Sequence, residues 1–215
     1  MKIVIIGGRG NGTVIASTIE DCKTAGQDLE CAGFLNDNEQ EVNGYPVLGP
    51  ISLDGWQRLP AEYRFIFAMS NIKLAHQRHE MLKKLEIPAE RYATVVHPSA
   101  VVSGKAKLGH GVVLMPLTLV SPNAVVGNHS QMYAQSFIGH DSAMDEMVFV
   151  ANNASIGGRV HIEDGAHIGS NCSIVERITL GKYCIVGLGS VVLKSVEPFE
   201  KVVGNPARSI GKVEH

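Results

Sequence analysis

Two constellations in this 215-residue chain have residue types suited to chemistry. The first is Ile138-Gly-His-Asp-Ser142, where an imidazole, His140, is followed directly by a carboxylate, Asp141. A neutral imidazole accepts a proton near neutral pH. A carboxylate beside it fixes its tautomer and stabilises the imidazolium that forms. The second is the run Gly7-Gly-Arg-Gly-Asn-Gly12, which follows the apolar Ile3 to Ile6. A glycine-rich turn from a strand into a helix directs backbone N–H groups at the helix N-terminus, where phosphate binds. The strict dinucleotide spacing would need glycine at 8, 10 and 13, but residue 13 is Thr13. The turn therefore points to a phosphate-bearing ligand rather than NAD. A tight turn that needs glycine for positive φ is the competing reading.

The elements that must position His140 are visible in the C-terminal half. From Val96 to Val192 an aliphatic residue opens every hexad, among them Val102, Leu108, Ile138, Met144, Ile156 and Ile174. Four places later comes a small or modest residue, such as Ala100, Ala106, Thr118, Ser130 or Ser142. A short period held this long signals a solenoid. A helix or an alternating strand would need period 3.6 or 2. His140 takes the third place of its hexad, an outward position near a corner, and Asp141 follows it. Cys172 and Cys184 take the fifth place, and no CxxC occurs, so these are read as small buried thiols.

The N-terminal part alternates strand and helix. Lys2 to Ile6, Leu29 to Leu35, Arg64 to Met69 and Ala93 to Val96 read as strands. Thr13 to Ala25 and Lys73 to Leu85 read as helices, and Tyr45 to Pro50 as a turn-rich passage. Such alternation predicts a parallel sheet of Rossmann type. Three strand ends then meet at its carboxyl edge, where ligands bind. They carry Gly10, Asn11 and Gly12, then Asn36 and Asp37, then Ser70 and Asn71. The divisions are 1–95, 96–197 and a capping tail, 198–215. Net charge is -2 with no basic run, which argues against nucleic acid as a partner. The apolar run at Ile3 to Ile6 is too short for a membrane span or a signal-peptide core. A cytoplasmic location is expected.

The hexad pattern resembles that of the left-handed parallel β-helix acyltransferases, and the whole layout is similar to the PglD/NeuD-type sugar acetyltransferases. The resemblance implies an α/β, Rossmann-like N-terminal domain followed by a left-handed parallel β-helix, with three hexads per coil. It implies that the N-terminal domain holds the nucleotide of a nucleotide-linked amino sugar. Gly139-His-Asp-Ser142 matches the family segment that holds the general base. Gly204-Asn-Pro-Ala-Arg208 matches the G-x-P-A-[KR] tail, which implies contact with the distal part of acetyl-CoA through Gly204, Pro206 and Arg208. A turn capping the open end of the β-helix is compatible with this. The chain departs from the family pattern at Asn11, where His is usual. It departs again at Asn36-Asp37, in place of an acidic pair, and at Ser70-Asn71-Ile72, in place of Gly-Asp-Asn.

With eighteen residues per coil, the column through His140 continues to Gly158, Glu176 and Lys194. Gly158 leaves space beside the imidazole, and its N–H is placed to meet a thioester oxygen as it becomes an oxyanion. Lys194, three coils on, lies roughly 14 Å from His140 at the ~4.8 Å strand spacing. No two of His110, His129, His140, His161 and His167 are eighteen apart, so none is expected to stack on another and no metal site is expected. His161 and His167 are read as solvated or interface residues. The register has no insertion, so the acceptor pocket must use the β-helix faces, the N-terminal domain and a neighbouring subunit, which favours a homotrimer.

The expected activity is acetyl-CoA-dependent N-acetylation of a nucleotide-linked amino sugar, a 4-amino-4,6-dideoxy sugar, for surface glycan synthesis. His140 is the base and Asp141 orients it. Two alternatives stand beside it: O-acetylation of sialic acid or another hydroxyl acceptor, and a non-catalytic sugar-nucleotide-binding β-helix trimer. No membrane partner is expected.

Overall fold

A computed structural model describes residues 1–69 and 75–213. The N-terminal domain is built from β1 (Lys2–Ile6), α1 (Asn11–Thr24), β2 (Glu30–Leu35), β3 (Glu41–Val42), β4 (Tyr45–Gly49), α2 (Leu53–Gln57), β5 (Arg64–Phe67) and α3 (Ala75–Lys84). Its sheet has the order β3-β4-β2-β1-β5, with β1 parallel to β2 and β5. Ile3 to Ile6 of β1 are fully buried, as a central parallel strand covered on both faces requires. Helix α1 covers one face with Ile15, Ala16, Ile19 and Cys22. Trp56, Phe65, Leu82 and Leu85 cover the other.

Tyr45 to Pro50 is not the expected turn-rich passage, because Tyr45–Gly49 is a strand. It pairs parallel to β2 and antiparallel to the two-residue β3. With so short a neighbour, β4 is nearly an edge strand, where Pro46 is tolerated. Helix α1 starts two residues earlier than expected, at Asn11. Ser70 and Asn71 lie outside the described residues.

The C-terminal domain is a parallel β-helix. Two-residue strands recur every six residues, from Val95–Val96 to Val191–Val192, each pairing with the strand eighteen residues on. They form three faces. The first runs from Val95–Val96 through Gln131–Met132 to Ile185–Val186, the second from Val101–Val102 to Val191–Val192, and the third from Lys107–Leu108 to Thr179–Leu180. The first and fifth places of the hexad fill the interior, as expected. Serines at the fifth place are satisfied there: the Ser142 hydroxyl donates to the Gly157 carbonyl and accepts from the Val160 N–H. From Gly111 to Gly189 the fourth place turns each corner in the left-handed conformation. Residues from Leu117 to Tyr183 have φ between 54° and 63° there, wherever glycine does not take the position. Asn, Asp and Gly tolerate this backbone best.

The first face is not open to solvent. Its outward residues Val95, Val113 and Gln131 are buried against the N-terminal domain and share a core with Ile3, Ile15, Phe34 and Ile66. The Gln131 amide donates to the Phe67 carbonyl at 2.8 Å, which ties the β-helix to the end of β5. At the far end, Glu200–Gly204 and Ala207–Lys212 form an antiparallel hairpin. Its first strand pairs with Ile185–Val186 and so extends the first face.

Candidate active site

His140 and Asp141 stand on the corner between the second and third faces, after Phe137–Ile138 and before Ala143–Met144. The His140 Nδ1 lies 2.8 Å from Asp141 Oδ2. A carboxylate accepts, so Nδ1 carries a proton, and in the neutral ring Nε2 is then the nitrogen with the free lone pair. The imidazole stays about half exposed. Hydrogen bonding from His140, then from Asn123, holds the Asp141 carboxyl below its usual range, and the charge of Arg159 adds to this. Gly158 lies where the column placed it. A Cβ built on it would stand 2.8 Å from His140 Nε2, so the basic nitrogen faces the bare backbone of the next coil. Among the described residues the Gly158 N–H donates to no acceptor. A Cβ on Gly139 would reach 2.5 Å from the Gly157 carbonyl carbon, so glycines let successive coils touch backbone to backbone here.

A groove of about 430 Å³ at the far end of the β-helix is lined by Leu193, Lys194, Glu200, Pro206, Ala207 and Arg208. Lys194, expected from the column, and Pro206 and Arg208, expected from the tail motif, thus share one groove. Gly204 is at its edge with φ 102°, and its N–H is taken by the Ser190 hydroxyl.

In the N-terminal domain the glycine-rich turn and the end of β2 pack together. The Asn36 amide donates to the Gly7 carbonyl at 3.0 Å, and its oxygen accepts from the N–H groups of Asn38 and Glu39. Asp37 Oδ1 accepts from the Ile51 N–H at 2.8 Å. Asn36 and Asp37 therefore shape the rim as well as standing on it. Gly10 takes φ 80°, in the left-handed region, immediately before α1, with Asn11 and Gly12 as its first residues. A second cavity, of about 420 Å³, lies between α1 and the corner joining the first and second faces; Val14, Asp21, Met115, Pro116 and Tyr133 line it.

One expected juxtaposition is absent within a single chain. The N-terminal domain packs on the first face, while His140 stands on the vertex opposite that face. The N-terminal domain with its glycine-rich turn and the imidazole therefore lie on different sides of the β-helix.

The other histidines divide differently from expectation. His110 and His129 do meet on adjacent coils, edge to face with ring centroids 4.8 Å apart, and Tyr92 packs against both. They are nineteen residues apart, in the third and fourth places of their hexads, so an eighteen-residue ruler misses them. Burial, with His110 adding to it, pushes His129 down to about 3. His167 is partly buried rather than solvated: its ring stacks on Phe149 at 4.7 Å, and burial pushes it down to about 4, with Arg78 adding to the effect. His161 is about half exposed, with Nε2 3.0 Å from Asp145. Among the described residues, no group of three His, Cys, Asp or Glu side chains gathers as a metal site, and no helix is long and apolar enough to cross a membrane. Sequence reasoning missed Asn123 and Arg159, which flank Asp141. The signal was available, since each lies eighteen residues from it.

Residues 2–85 match the model of the PglD N-terminal domain family. A curated relative, UDP-N-acetylbacillosamine N-acetyltransferase of Bacillus subtilis (strain 168), is 28% identical over 117 residues; the match covers 53% of this chain and spans about half, 51%, of that protein. The acetyltransferase domain of PglB from Neisseria gonorrhoeae FA1090 superposes with a TM-score of 0.83 at 27% identity, over 97% of this chain and 99% of that one. WeeI from Acinetobacter baumannii AYE gives 0.81 at 27% identity, over 98% and 100%. Residues 2–85 thus carry a PglD-type N-terminal domain, and the chain as a whole is similar over nearly its full length to the acetyltransferase domain of PglB and to WeeI.

Proposed function

We propose that the protein is an acetyl-CoA-dependent N-acetyltransferase acting on a nucleotide-linked amino sugar. The observation that carries this is His140: Nδ1 held by Asp141, and Nε2 bare and facing Gly158. The curated relative is named as a sugar N-acetyltransferase, and the PglB domain has also been solved with acetyl coenzyme A, at a TM-score of 0.62 and 25% identity. In this reading the sugar amine attacks the thioester carbonyl and forms a C–N bond. The oxyanion that develops is met by the Gly158 N–H. The attacking nitrogen loses its proton to His140 Nε2, and Asp141 stabilises the imidazolium. The C–S bond then breaks, and the leaving thiolate takes up the proton. Acetyl-CoA lies along the column from His140 and Gly158 towards Lys194, with Gly204, Pro206 and Arg208 at its distal end. Gly10, Asn11, Gly12, Asn36, Asp37, Ser70 and Asn71 hold the nucleotide. The acceptor is a 4-amino-4,6-dideoxy sugar destined for surface glycan, modified in the cytoplasm.

The placement of the glycine-rich turn and the imidazole on different sides of the β-helix supports a homotrimer, in which one subunit's turn faces a neighbour's His140. The second face carries outward Val101 and Leu119, both exposed in the single chain, as apolar surface for such packing. The test is thiol release from acetyl-CoA with a panel of UDP-, GDP- and dTDP-linked amino sugars, with sialic acid as a hydroxyl acceptor. An amino sugar is expected to turn over, with His140→Asn strongly impaired. Turnover of the hydroxyl acceptor alone would make the protein an O-acetyltransferase. Sugar-nucleotide binding without any turnover would make it a binding module.

A further inference from the structure

Asp141 stands on a solvent-facing corner of the β-helix, yet its carboxylate makes three polar contacts. A lone surface carboxylate paired with an imidazole is a weak constraint, because exposed pairs contribute little and such a side chain rotates freely. Here the carboxylate is held from both neighbouring coils. Asn123, eighteen residues earlier, donates its amide N–H to Asp141 Oδ1 at 2.9 Å. Arg159, eighteen residues later, brings a guanidinium nitrogen to 3.7 Å from Oδ2. The His140 Nδ1 bond at 2.8 Å goes to that same Oδ2. All three corner residues have left-handed backbones, with φ of 61°, 58° and 57°, so their side chains rise from equivalent places on successive coils.

We propose that Asn123 and Arg159 are positioning residues for the reaction, clasping the Asp141 carboxylate so that it presents Oδ2 to His140. Asn123 occupies Oδ1 and so selects the carboxylate rotamer. Arg159 shares Oδ2 with the imidazole and offsets part of the negative charge that the ring meets. The imidazole is thereby kept in the orientation that directs Nδ1 at the carboxylate and leaves Nε2 facing Gly158. Among the described residues, Asp141 is the charged group paired with His140, and Arg159 reaches that same carboxylate. Glu176 and Arg177, on the coil beyond Gly158, pair with each other at 3.9 Å. This inference rests on the reading of His140 as the base.

The test compares Asn123→Gly, which keeps the left-handed backbone accessible, with Arg159→Ala, Arg159→Lys, Asp141→Asn and His140→Asn. Steady-state kinetics and the ¹⁵N NMR signature of the His140 tautomer are read for each. Asn123→Gly is expected to lower kcat about tenfold, leave both KM values within about twofold, and populate the second tautomer. Arg159→Ala is expected to lower kcat similarly and to move the acid limb of the pH–rate profile to higher pH. Arg159→Lys should restore that limb. If His140→Asn and Asp141→Asn turn over normally, the base reading fails and the clasp with it. If those two are impaired while Asn123→Gly and Arg159→Ala keep the native kcat, tautomer and pH limb, the clasp alone is refuted. A rise in the KM for acetyl-CoA at unchanged kcat in Arg159→Ala would make Arg159 a cofactor contact and overturn its positioning role.

Discussion

Replacing Gly158 with Ala tests whether His140 Nε2 is the working atom. The Gly158 backbone is outside the left-handed region, so alanine can adopt it. The new methyl would stand 2.8 Å from Nε2, 3.0 Å from Cε1 and 3.1 Å from Cδ2 of His140, where ordinary contact starts at 3.4 Å. The ring must then withdraw by about 0.6 Å, the difference between 3.4 and 2.8 Å. The ring is half exposed and can move, so the cost to folding is small, within about 0.5 kcal/mol for a surface change. The cost to chemistry is larger. The withdrawal disturbs the 2.8 Å bond to Asp141, and the methyl fills space assigned to the acyl group. A misplacement of about 1 Å can lower the rate about 10²-fold. A ~10- to 100-fold loss in kcat/KM is therefore expected, or about 1.4 to 2.7 kcal/mol of transition-state stabilisation. Thiol release measures the rate, and calorimetry measures the midpoint of unfolding. Native kcat/KM together with a native midpoint would refute the placement of the acyl group between His140 and Gly158.

Gly139→Ala should do the reverse. Its Cβ meets backbone at 2.5 Å, and backbone cannot step aside, so an overpacking loss of about 1–3 kcal/mol is expected in thermal or urea unfolding. Lys194→Ala and Arg208→Ala should each raise the KM for acetyl-CoA about tenfold, the loss of roughly one charged contact, while the KM for the sugar nucleotide stays unchanged. Stability should fall on acidification for a definite reason. His129 and His167 stay neutral in the folded protein, held down to about 3 and about 4 by burial, while the unfolded chain protonates them from their ordinary 6.5. The unfolded state therefore binds more protons below pH 6.5, and stability declines from there towards pH 4 for His167 and pH 3 for His129. Urea unfolding from pH 7 to pH 4 should show a shallower decline for His167→Phe; an unaltered slope would contradict the burial argument.

The β-helix was legible because its core depends on one repeated distance. Residues at the first and fifth places are buried whatever surrounds the coil, so Val96 to Val192 could be read without a partner structure. The same distance located Gly158 beside His140. What escaped it depends on contacts the period does not encode. His110 and His129 meet because one sits a place later in its hexad than the other. The burial of Val95 and Val113 is imposed by the N-terminal domain, and an apolar outward column did not single out the first face, because the second face has one too, in Val101 and Leu119. The strand at Tyr45–Gly49 was obscured by Pro46 and Gly49, whose low strand propensity is overridden by pairing with β2. Asn36 and Asp37 looked like ligand contacts from their place at a strand end. Their engagement with Gly7 and Ile51 needed the loop geometry.

The uninterrupted pairing from Val95–Val96 to Val191–Val192 also makes the molecule a gauge with fixed graduations. Adding or deleting eighteen residues between His140 and Lys194 would preserve every ladder bond and every left-handed corner. It would shift the cationic groove by one strand spacing, about 4.8 Å. A change of six or twelve residues would keep the interior side chains inside but carry the groove round to another face, and a change that is not a multiple of six would turn interior side chains outward. The reach between imidazole and groove can therefore change only in whole steps, each comparable to a few bonds of an extended thioester arm. A carrier of different arm length would call for a chain longer or shorter by one coil, rather than one with a reshaped loop.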